Sequence, residues 1–301
     1  MRKEDMRLSF QGIRVFARIY TPDTPSIQHR ALFVSSPASD LTAWNKLAEM
    51  LASSGCLVVC ADLPGFGKCP ASASAPQDND TRAQILWGIL DEVEKSRAEE
   101  QTKWHLIGHG NGAAAVMTMA LYQPDSTLSR VLLSPVVERF LVSPLHAFLI
   151  SKGGKGLIEA WHKHYILNKK RFKKLAEKIY GRSVKKERLL SLNRMLSRKN
   201  TAQLMYKVLK DGYRLSDAAY EIKTPLMLIW GLEDKIFGGQ IPLKLKKQLP
   251  EAEKHLVRAA HMAMETHPDM LRDYLRGWFR FSEGREKALI RPTAARGQDK
   301  R

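Results

Sequence analysis

The sequence predicts an α/β fold in which a doubly wound sheet is interrupted by a helical insertion. Short apolar segments alternate with segments of helical periodicity on both sides of a central region, and that central region is helical in composition throughout. The segment Cys56–Ala61 adds a near-continuous apolar run, which is typical of a strand inside a parallel sheet. We therefore expect a mostly parallel sheet with helices on both faces.

Predicted strands and helices alternate along the first part of the chain. It begins with strands Met6–Phe10 and Ile13–Tyr20, joined by the tight-turn dipeptide Gln11-Gly12. The segments that follow are either short apolar runs or show apolar residues at three-to-four spacing. They are strand Arg30–Ser36, helix Trp44–Ser53, strand Cys56–Ala61, helix Thr81–Glu99, strand Trp104–Gly108, helix Gly112–Leu121 and strand Leu128–Leu133.

The alternation resumes after the insertion, and this divides the chain. The later elements are strand Pro225–Gly231, helix Pro242–Gln248, strand Lys254–Arg258 and helix Met270–Phe281. The tail that follows is polar and basic and lacks periodicity, so we expect it to be disordered. The predicted divisions are a first core part at 1–136, a basic helical insertion at 137–219, a second core part at 220–282 and a disordered tail at 283–301.

The charge of the chain is concentrated in the insertion. The 301 residues are 44% hydrophobic, which excludes a disordered chain, and they carry a net charge of +18. Between Ser151 and Leu215 we count 19 Lys and Arg against four acidic residues. Such an excess favours acidic partners, and an anionic membrane or an acidic protein fits better than nucleic acid, because no nucleic-acid-binding module is present.

Cysteine use and hydropathy predict a reduced, cytoplasmic protein. Cys56 and Cys60 lie four residues apart on a predicted strand, roughly 13 Å, which is too far for a disulfide. No apolar segment follows the charged residues Met1–Asp5, so no secretory signal is expected. The longest uncharged apolar run, Phe140–Ile150, is shorter than the roughly 18 residues of a membrane span.

Four segments carry a family resemblance. Asp62–Gly67 reads D-x-P-G-x-G after a predicted strand, and Leu106–Gly112 joins a strand to a helix. An acidic loop ends the segment Leu228–Asp234, and Ala260–Met262 places a histidine seven residues before Pro268. In this order the segments resemble the α/β-hydrolase superfamily, whose nucleophile elbow G-x-S-x-G precedes an acid and then a histidine. The resemblance implies an eight-stranded sheet with a helical cap over the active site.

The resemblance also implies the site residues. Asp234 matches the catalytic acid and His261 the catalytic histidine, whereas Gly110 stands at the nucleophile position. Glycine offers no atom to attack a carbonyl, so a covalent acyl intermediate on this residue is impossible. The acid and the histidine together remain a general base, because a carboxylate fixes the imidazole tautomer and stabilises the protonated ring.

The family's oxyanion site is altered as well. The alignment places Pro37 where the family donates one backbone N–H, and proline has none. A shift of one residue would place Ala38 there, and the hydroxyl of Ser36 is a further donor. The N–H of Asn111 is expected to remain. By resemblance, Ser36, Pro37, Gly110 and Asn111 line a pocket with the catalytic histidine between cap and sheet.

Three functions remain open at this level. The protein binds a small or acyl-type molecule, either with non-covalent acid–base chemistry by His261 and Asp234 or with binding alone. Alternatively, it is a binding or scaffold protein that the basic cap recruits to an anionic membrane or an acidic partner. The family itself suggests a conventional ester or amide hydrolase, against which Gly110 argues.

The remaining motifs are given structural interpretations. Lys169–Tyr180 predicts an amphipathic helix, which either docks an acidic surface or packs its apolar side on the core and leaves its lysines solvated. His109 is expected to pack behind the elbow, and Glu265 is given no role. Trp161–His164 and the isolated histidines, among them His29 and His105, show no ligand spacing. We therefore expect no metal and no cofactor.

Overall fold

The computed structural model describes residues 1–24, 26–97, 103–137, 151–212, 215–237 and 249–295. Within these ranges eight strands form one sheet. In chain order they are β1 (Arg2–Phe10), β2 (Ile13–Thr21), β3 (His29–Val34), β4 (Cys56–Ala61), β5 (Trp104–His109), β6 (Thr127–Leu133), β7 (Leu226–Gly231) and β8 (Glu253–Val257). Their order in the sheet is β1-β2-β4-β3-β5-β6-β7-β8. The β1–β2 and β2–β4 pairs are antiparallel and the others are parallel, as predicted.

The helices of the described residues connect and cover this sheet. They are α1 (Asn45–Ala52), α2 (Asn79–Lys95), α3 (Gly112–Tyr122), α4 (Lys152–Trp161), α5 (Lys169–Tyr180), α6 (Lys186–Leu196), α7 (Thr201–Lys207), α8 (Ala263–Thr266) and α9 (Pro268–Ala295). The crossover from β3 through α1 to β4 runs toward β1, whereas the crossover from β5 through α3 to β6 runs toward β8. Because such crossovers are right-handed, α1 and α3 lie on opposite faces. The predicted helix Pro242–Gln248 lies outside the described residues.

The centre of the sheet explains the apolar pattern of the sequence. Every residue of β4 and β5 is buried, because helices cover both faces of these strands. The three cysteines, Cys56, Cys60 and Cys69, are free and buried, in agreement with the absence of a disulfide predicted for the first two. Burial raises the pKa of all three thiols, so they are poor nucleophiles.

The closing helix differs from the sequence prediction. It was expected to end at Phe281, with a disordered tail at 283–301, but α9 continues to Ala295. The Oε1 atom of Glu283 lies 2.6 Å from Nδ1 of His29 at the start of β3. Such tertiary contacts stabilise a helix whose composition alone would not predict it. The remaining tail residues lie outside the described ranges.

The insertion between β6 and β7 is helical over its described residues. It contains α4 to α7 and two short π-helical turns, His162–Ile166 and Val208–Gly212. The cap helix α5 begins at Asn168, whose side chain accepts a hydrogen bond from the Arg171 N–H, and it ends at Gly181 with a φ of +68°. The apolar run Phe140–Ile150 lies outside the described residues. Within the described ranges no helix is both long and apolar enough to cross a membrane.

Candidate active site

A sharp turn joins β5 to α3 at the carboxyl edge of the sheet. Gly110 occupies this turn with a φ of +55°, a left-handed conformation in which a side chain is strained. Its N–H donates to the Leu133 carbonyl at 3.0 Å, and its own carbonyl accepts from the Val136 N–H at 2.9 Å. A Cβ atom on Gly112 would lie 2.7 Å from the Val34 carbonyl oxygen. Glycine is therefore required there for α3 to start so close to β3.

The loops after β7 and β8 bring Asp234 and His261 together. Nδ1 of His261 lies 2.7 Å from Oδ2 of Asp234, and both residues are buried. The other carboxylate oxygen accepts hydrogen bonds from the N–H groups of Ile236 and Phe237, each at 2.9 Å. Burial opposes ionisation, but the hydrogen bonds from His261 and these N–H groups lower the pKa of Asp234 below its ordinary value.

The histidine is oriented toward the turn at Gly110. Because the carboxylate accepts the Nδ1 proton, Nε2 of His261 is left with a lone pair. A Cβ atom built on Gly110 would lie 3.7 Å from this Nε2 and 3.0 Å from the hydroxyl oxygen of Ser36. The structure thus brings the predicted base and Ser36 to the position that a nucleophile occupies in the resembled family. Position 110 itself presents only backbone.

A cavity of about 610 Å³ lies between this site and the cap. The core contributes its polar end and the cap contributes most of its apolar wall. The lining residues include Ser36, Pro37, Ala38, His109, Asn111, Ile158, Trp161, Phe172, Leu175, Ile179, Leu196, Met205, Phe237 and His261. Among the described residues, no Arg, Lys, Asp or Glu lines the cavity. The role of Pro37 or Ala38 in an oxyanion site stays a prediction.

The amphipathic pattern of α5 has a clear outcome. Its apolar residues Phe172, Leu175 and Ile179 line the cavity, whereas Lys169, Lys170, Lys173, Lys174 and Lys178 are exposed. The apolar face is therefore used inside the protein. This agrees with the interpretation in which the helix packs on the core and its lysines stay in solvent.

A buried arginine behind the turn was missed by the sequence analysis. The Nη1 group of Arg82 donates a 2.7 Å hydrogen bond to Oδ1 of Asn111, and the Asn111 amide nitrogen donates to the Gly212 carbonyl. Arg82 is fully buried and also hydrogen-bonds the side chain of Gln77. Its signal was a single basic residue on the apolar face of α2. The contacts fix the amide of Asn111 and link the turn to the cap.

A charged cluster joins the cap to the core beside the cavity. Arg188 of α6 donates to Glu265 at 2.7 Å and to Asp40 at 3.0 Å, and the Tyr180 hydroxyl donates to Glu265 at 2.7 Å. Burial opposes the charge of the guanidinium, but Glu265, Tyr180 and Asp40 raise the pKa of Arg188 above its ordinary value. The sequence analysis assigned no role to Glu265, and the structure assigns it this cap contact.

His109 lies directly behind the catalytic pair. Its Nε2 is 3.1 Å from the His261 carbonyl oxygen, and the two rings are 4.6 Å apart at their centroids. Burial lowers the pKa of His109 well below its ordinary value, and the charge of His261 adds to this effect. A neutral His109 that supports the His261 segment matches the predicted packing role.

The sheet order, the turn at Gly110 and the acid–histidine pair define a protein of the α/β-hydrolase fold. Residues 30–269 match the model of the family described as serine aminopeptidase, S33, and the chain belongs to this α/β-hydrolase family. The family is one of hydrolases. Its membership fixes the fold, while the substrate has to be argued from the cavity.

Relatives with assigned activities cover most of the chain. A 2-hydroxy-6-oxononadienedioate/2-hydroxy-6-oxononatrienedioate hydrolase from Burkholderia vietnamiensis is 26% identical over 280 residues, covering 86% of this chain and 91% of that protein. A hydrolase of the same description from Pseudomonas putida is 27% identical over 256 residues, covering 79% and 84%.

Solved structures of low sequence identity share the fold. The crystal structure of a bacterial membrane phospholipase A superposes with a TM-score of 0.75 at 16% identity, covering 93% of this chain and 87% of that one. The epoxide hydrolase CorEH gives a TM-score of 0.74 at 15% identity, covering 93% and 99%. These similarities establish the architecture alone.

Proposed function

We propose that this protein binds an uncharged acyl-type molecule beneath its cap and acts on it by general base chemistry without a covalent enzyme intermediate. The observation that carries the proposal is the polar end of the cavity, where Nε2 of His261 points toward Gly110. A base is present there, and position 110 offers no nucleophilic atom. Water is the reactant that this arrangement supports.

The proposed step balances without any further group. Nε2 of His261 takes a proton from a water molecule as the water oxygen bonds to the carbonyl carbon of the substrate. Asp234 stabilises the imidazolium through the 2.7 Å hydrogen bond to Nδ1. The imidazolium then returns the proton to the leaving group as its bond to the carbonyl carbon breaks, and an acid is released.

The cavity favours an uncharged substrate. The two curated relatives are named for dioates, which carry two carboxylates. Cavities that hold a carboxylate use Arg, Lys or other fixed donors, and the described lining of this cavity contains neither Arg nor Lys. The volume of about 610 Å³ lies in the usual range for small-molecule sites. Medium-chain esters, thioesters or ketones therefore fit better than a dioate.

Replacing the base provides the direct test. We expect His261→Ala to reduce hydrolysis of medium-chain p-nitrophenyl esters by about 10²–10⁴-fold, since this is the usual contribution of a general base. Wild type is expected to show no covalent labelling by a fluorophosphonate, because Gly110 has no hydroxyl. The control is His164→Ala, which removes an exposed histidine of the cap. Turnover that survives His261→Ala unchanged would contradict the proposed base.

A second candidate function is recruitment to an anionic membrane through the cap. The lysines of α5 are exposed, and the same cap exposes Leu157, Trp161 and Leu167 by 48%, 41% and 50%. Basic residues beside exposed apolar side chains are the composition of membrane-surface segments. Leu157 and Trp161 also line the cavity, so an acyl chain held at a membrane would meet its entrance.

Charge removal separates this candidate from the first. We expect the fourfold variant K169Q/K170Q/K173Q/K174Q to bind anionic phosphatidylserine vesicles more weakly by roughly fivefold per lysine removed. Salt should weaken wild-type binding in the same assay. The control K46Q/K95Q removes exposed lysines of the core. Equal sedimentation of both variants with the vesicles would exclude the cap as the membrane-binding surface.

A further inference from the structure

A second polar cluster lies at the opposite edge of the sheet from the cavity. His29 begins β3, and His105 is the second residue of β5, the strand that ends at the Gly110 turn. Glu283 reaches both histidines from α9. Ligand atoms from the three side chains all lie within 4.8 Å of one another. Sequence spacing gave no link among these residues, and the fold supplies it.

The cluster leaves one buried nitrogen without a hydrogen bond. Oε1 of Glu283 lies 2.6 Å from Nδ1 of His29 and 3.5 Å from Nε2 of His105. His105 is fully buried, and its Nε2 has no hydrogen-bond partner. A buried polar atom without a partner is costly. A group that accepts its lone pair would remove that cost.

The ring of His105 is already held in one orientation. Its Nδ1 lies 2.7 Å from the Ser129 hydroxyl, and its face stacks on Phe279 with centroids 4.0 Å apart. Metal-binding histidines characteristically use their second ring nitrogen in this way, which fixes the ring and its tautomer. When Nδ1 donates to Ser129, the Nε2 lone pair points into the cluster.

We propose that His29, His105 and Glu283 form a zinc site that fastens α9 to the amino ends of β3 and β5. Two imidazoles and one carboxylate are a ligand set for Zn²⁺, with water in the fourth position. Tetrahedral bonds of about 2.0 Å place neighbouring ligand atoms roughly 3.3 Å apart, which the 2.6 Å and 3.5 Å separations bracket. The nitrogen ligands disfavour Mg²⁺ and Ca²⁺, which prefer oxygen.

The two outer ligands provide an entry path. The side chains of His29 and Glu283 are 13% and 24% exposed, so they can receive an ion from solvent and close it against the buried His105. Bound zinc would stabilise the folded chain by mass action, because an unfolded chain does not bring these three residues together. The site is independent of the catalytic pair.

The test is zinc binding by untagged, metal-free protein. We expect wild type to take up one Zn²⁺ in competition with a chromogenic chelator, and zinc to raise its thermal midpoint. His29→Gln and Glu283→Gln remove ligands near the surface and should each weaken binding by more than about 100-fold, whereas Ser129→Ala should weaken it about tenfold. Circular dichroism confirms that the variants remain folded.

Two controls distinguish this site from other histidines. His255→Gln removes an exposed histidine that hydrogen-bonds Glu253, a pair with no third ligand, and His261→Ala removes the catalytic histidine. Both should bind zinc as wild type does. The proposal is overturned if wild type takes up no zinc, or if His29→Gln and Glu283→Gln bind it as tightly as these controls.

Discussion

Gly110→Ser is expected to become covalently labelled by a fluorophosphonate and to gain at least about 10²-fold in p-nitrophenyl ester hydrolysis. A Cβ atom at position 110 lies 3.7 Å from Nε2 of His261, so a serine hydroxyl on it reaches hydrogen-bond distance of that nitrogen. The paired Asp234 is already in place. The substitution supplies the missing nucleophile to an existing base.

The gain is limited by two features of the site. A non-glycine residue at a φ of +55° is strained by about 1–2 kcal/mol. The new Cβ would also lie 3.0 Å from the Ser36 hydroxyl oxygen, so that side chain has to shift by a few tenths of an ångström. If Pro37 holds the predicted donor position, one oxyanion N–H is missing, which costs about 3 kcal/mol of transition-state stabilisation.

The controls separate the hydroxyl from the backbone strain. Gly110→Ala adds the same Cβ without an oxygen and should remain unlabelled, although it is destabilised to a similar extent. Gly110→Ser combined with His261→Ala should lose both labelling and turnover, because the serine then has no base. An unlabelled but folded Gly110→Ser variant would show that the site has lost more than its nucleophile.

Arg188→Met is expected to destabilise the protein by about 3–5 kcal/mol, measured as the free energy of unfolding in urea. The arginine side chain is 14% exposed and lies between Asp40 and Glu265, whose side chains are 8% and 17% exposed. Methionine occupies a similar volume but leaves two carboxylates without their cation. The cost arises from these unpaired charges, since packing changes little.

Neutralising the partners provides the matched comparison. Adding Glu265→Gln to Arg188→Met removes one of the two unpaired charges and should recover part of the lost free energy. Arg182→Met changes an exposed arginine of the same cap and should alter stability by less than about 0.5 kcal/mol. Equal effects of Arg188→Met and Arg182→Met would contradict a buried charged anchor.

Much of the fold follows from local sequence patterns. Cys56–Ala61 was predicted with its observed bounds, because a strand covered on both faces needs an uninterrupted apolar run. The turn at Gln11-Gly12 also follows from the sequence, with φ of +50° and +80° at its two residues. The extension of α9 beyond Phe281 does not, because contacts such as Glu283 with His29 join distant parts of the chain.

The catalytic pair was predictable because family motifs mark it in sequence. Asp234 and His261 each follow a strand at the carboxyl edge of the sheet, and the structure places them 2.7 Å apart. Asp40 and Glu265 carry no such motif, and only packing of the cap brings Arg188 between them. Burial, which the sequence does not state, makes that contact important.

The sequence by itself determined the class of fold, the order of the site segments and the absence of a nucleophile at Gly110. These properties depend on local periodicity and on which atoms a residue carries. Tertiary structure alone decided that the cap closes an apolar cavity over His261, and that His29, His105 and Glu283 meet at the other edge of the sheet. Such arrangements depend on helix packing and on contacts between distant residues, which no local pattern encodes.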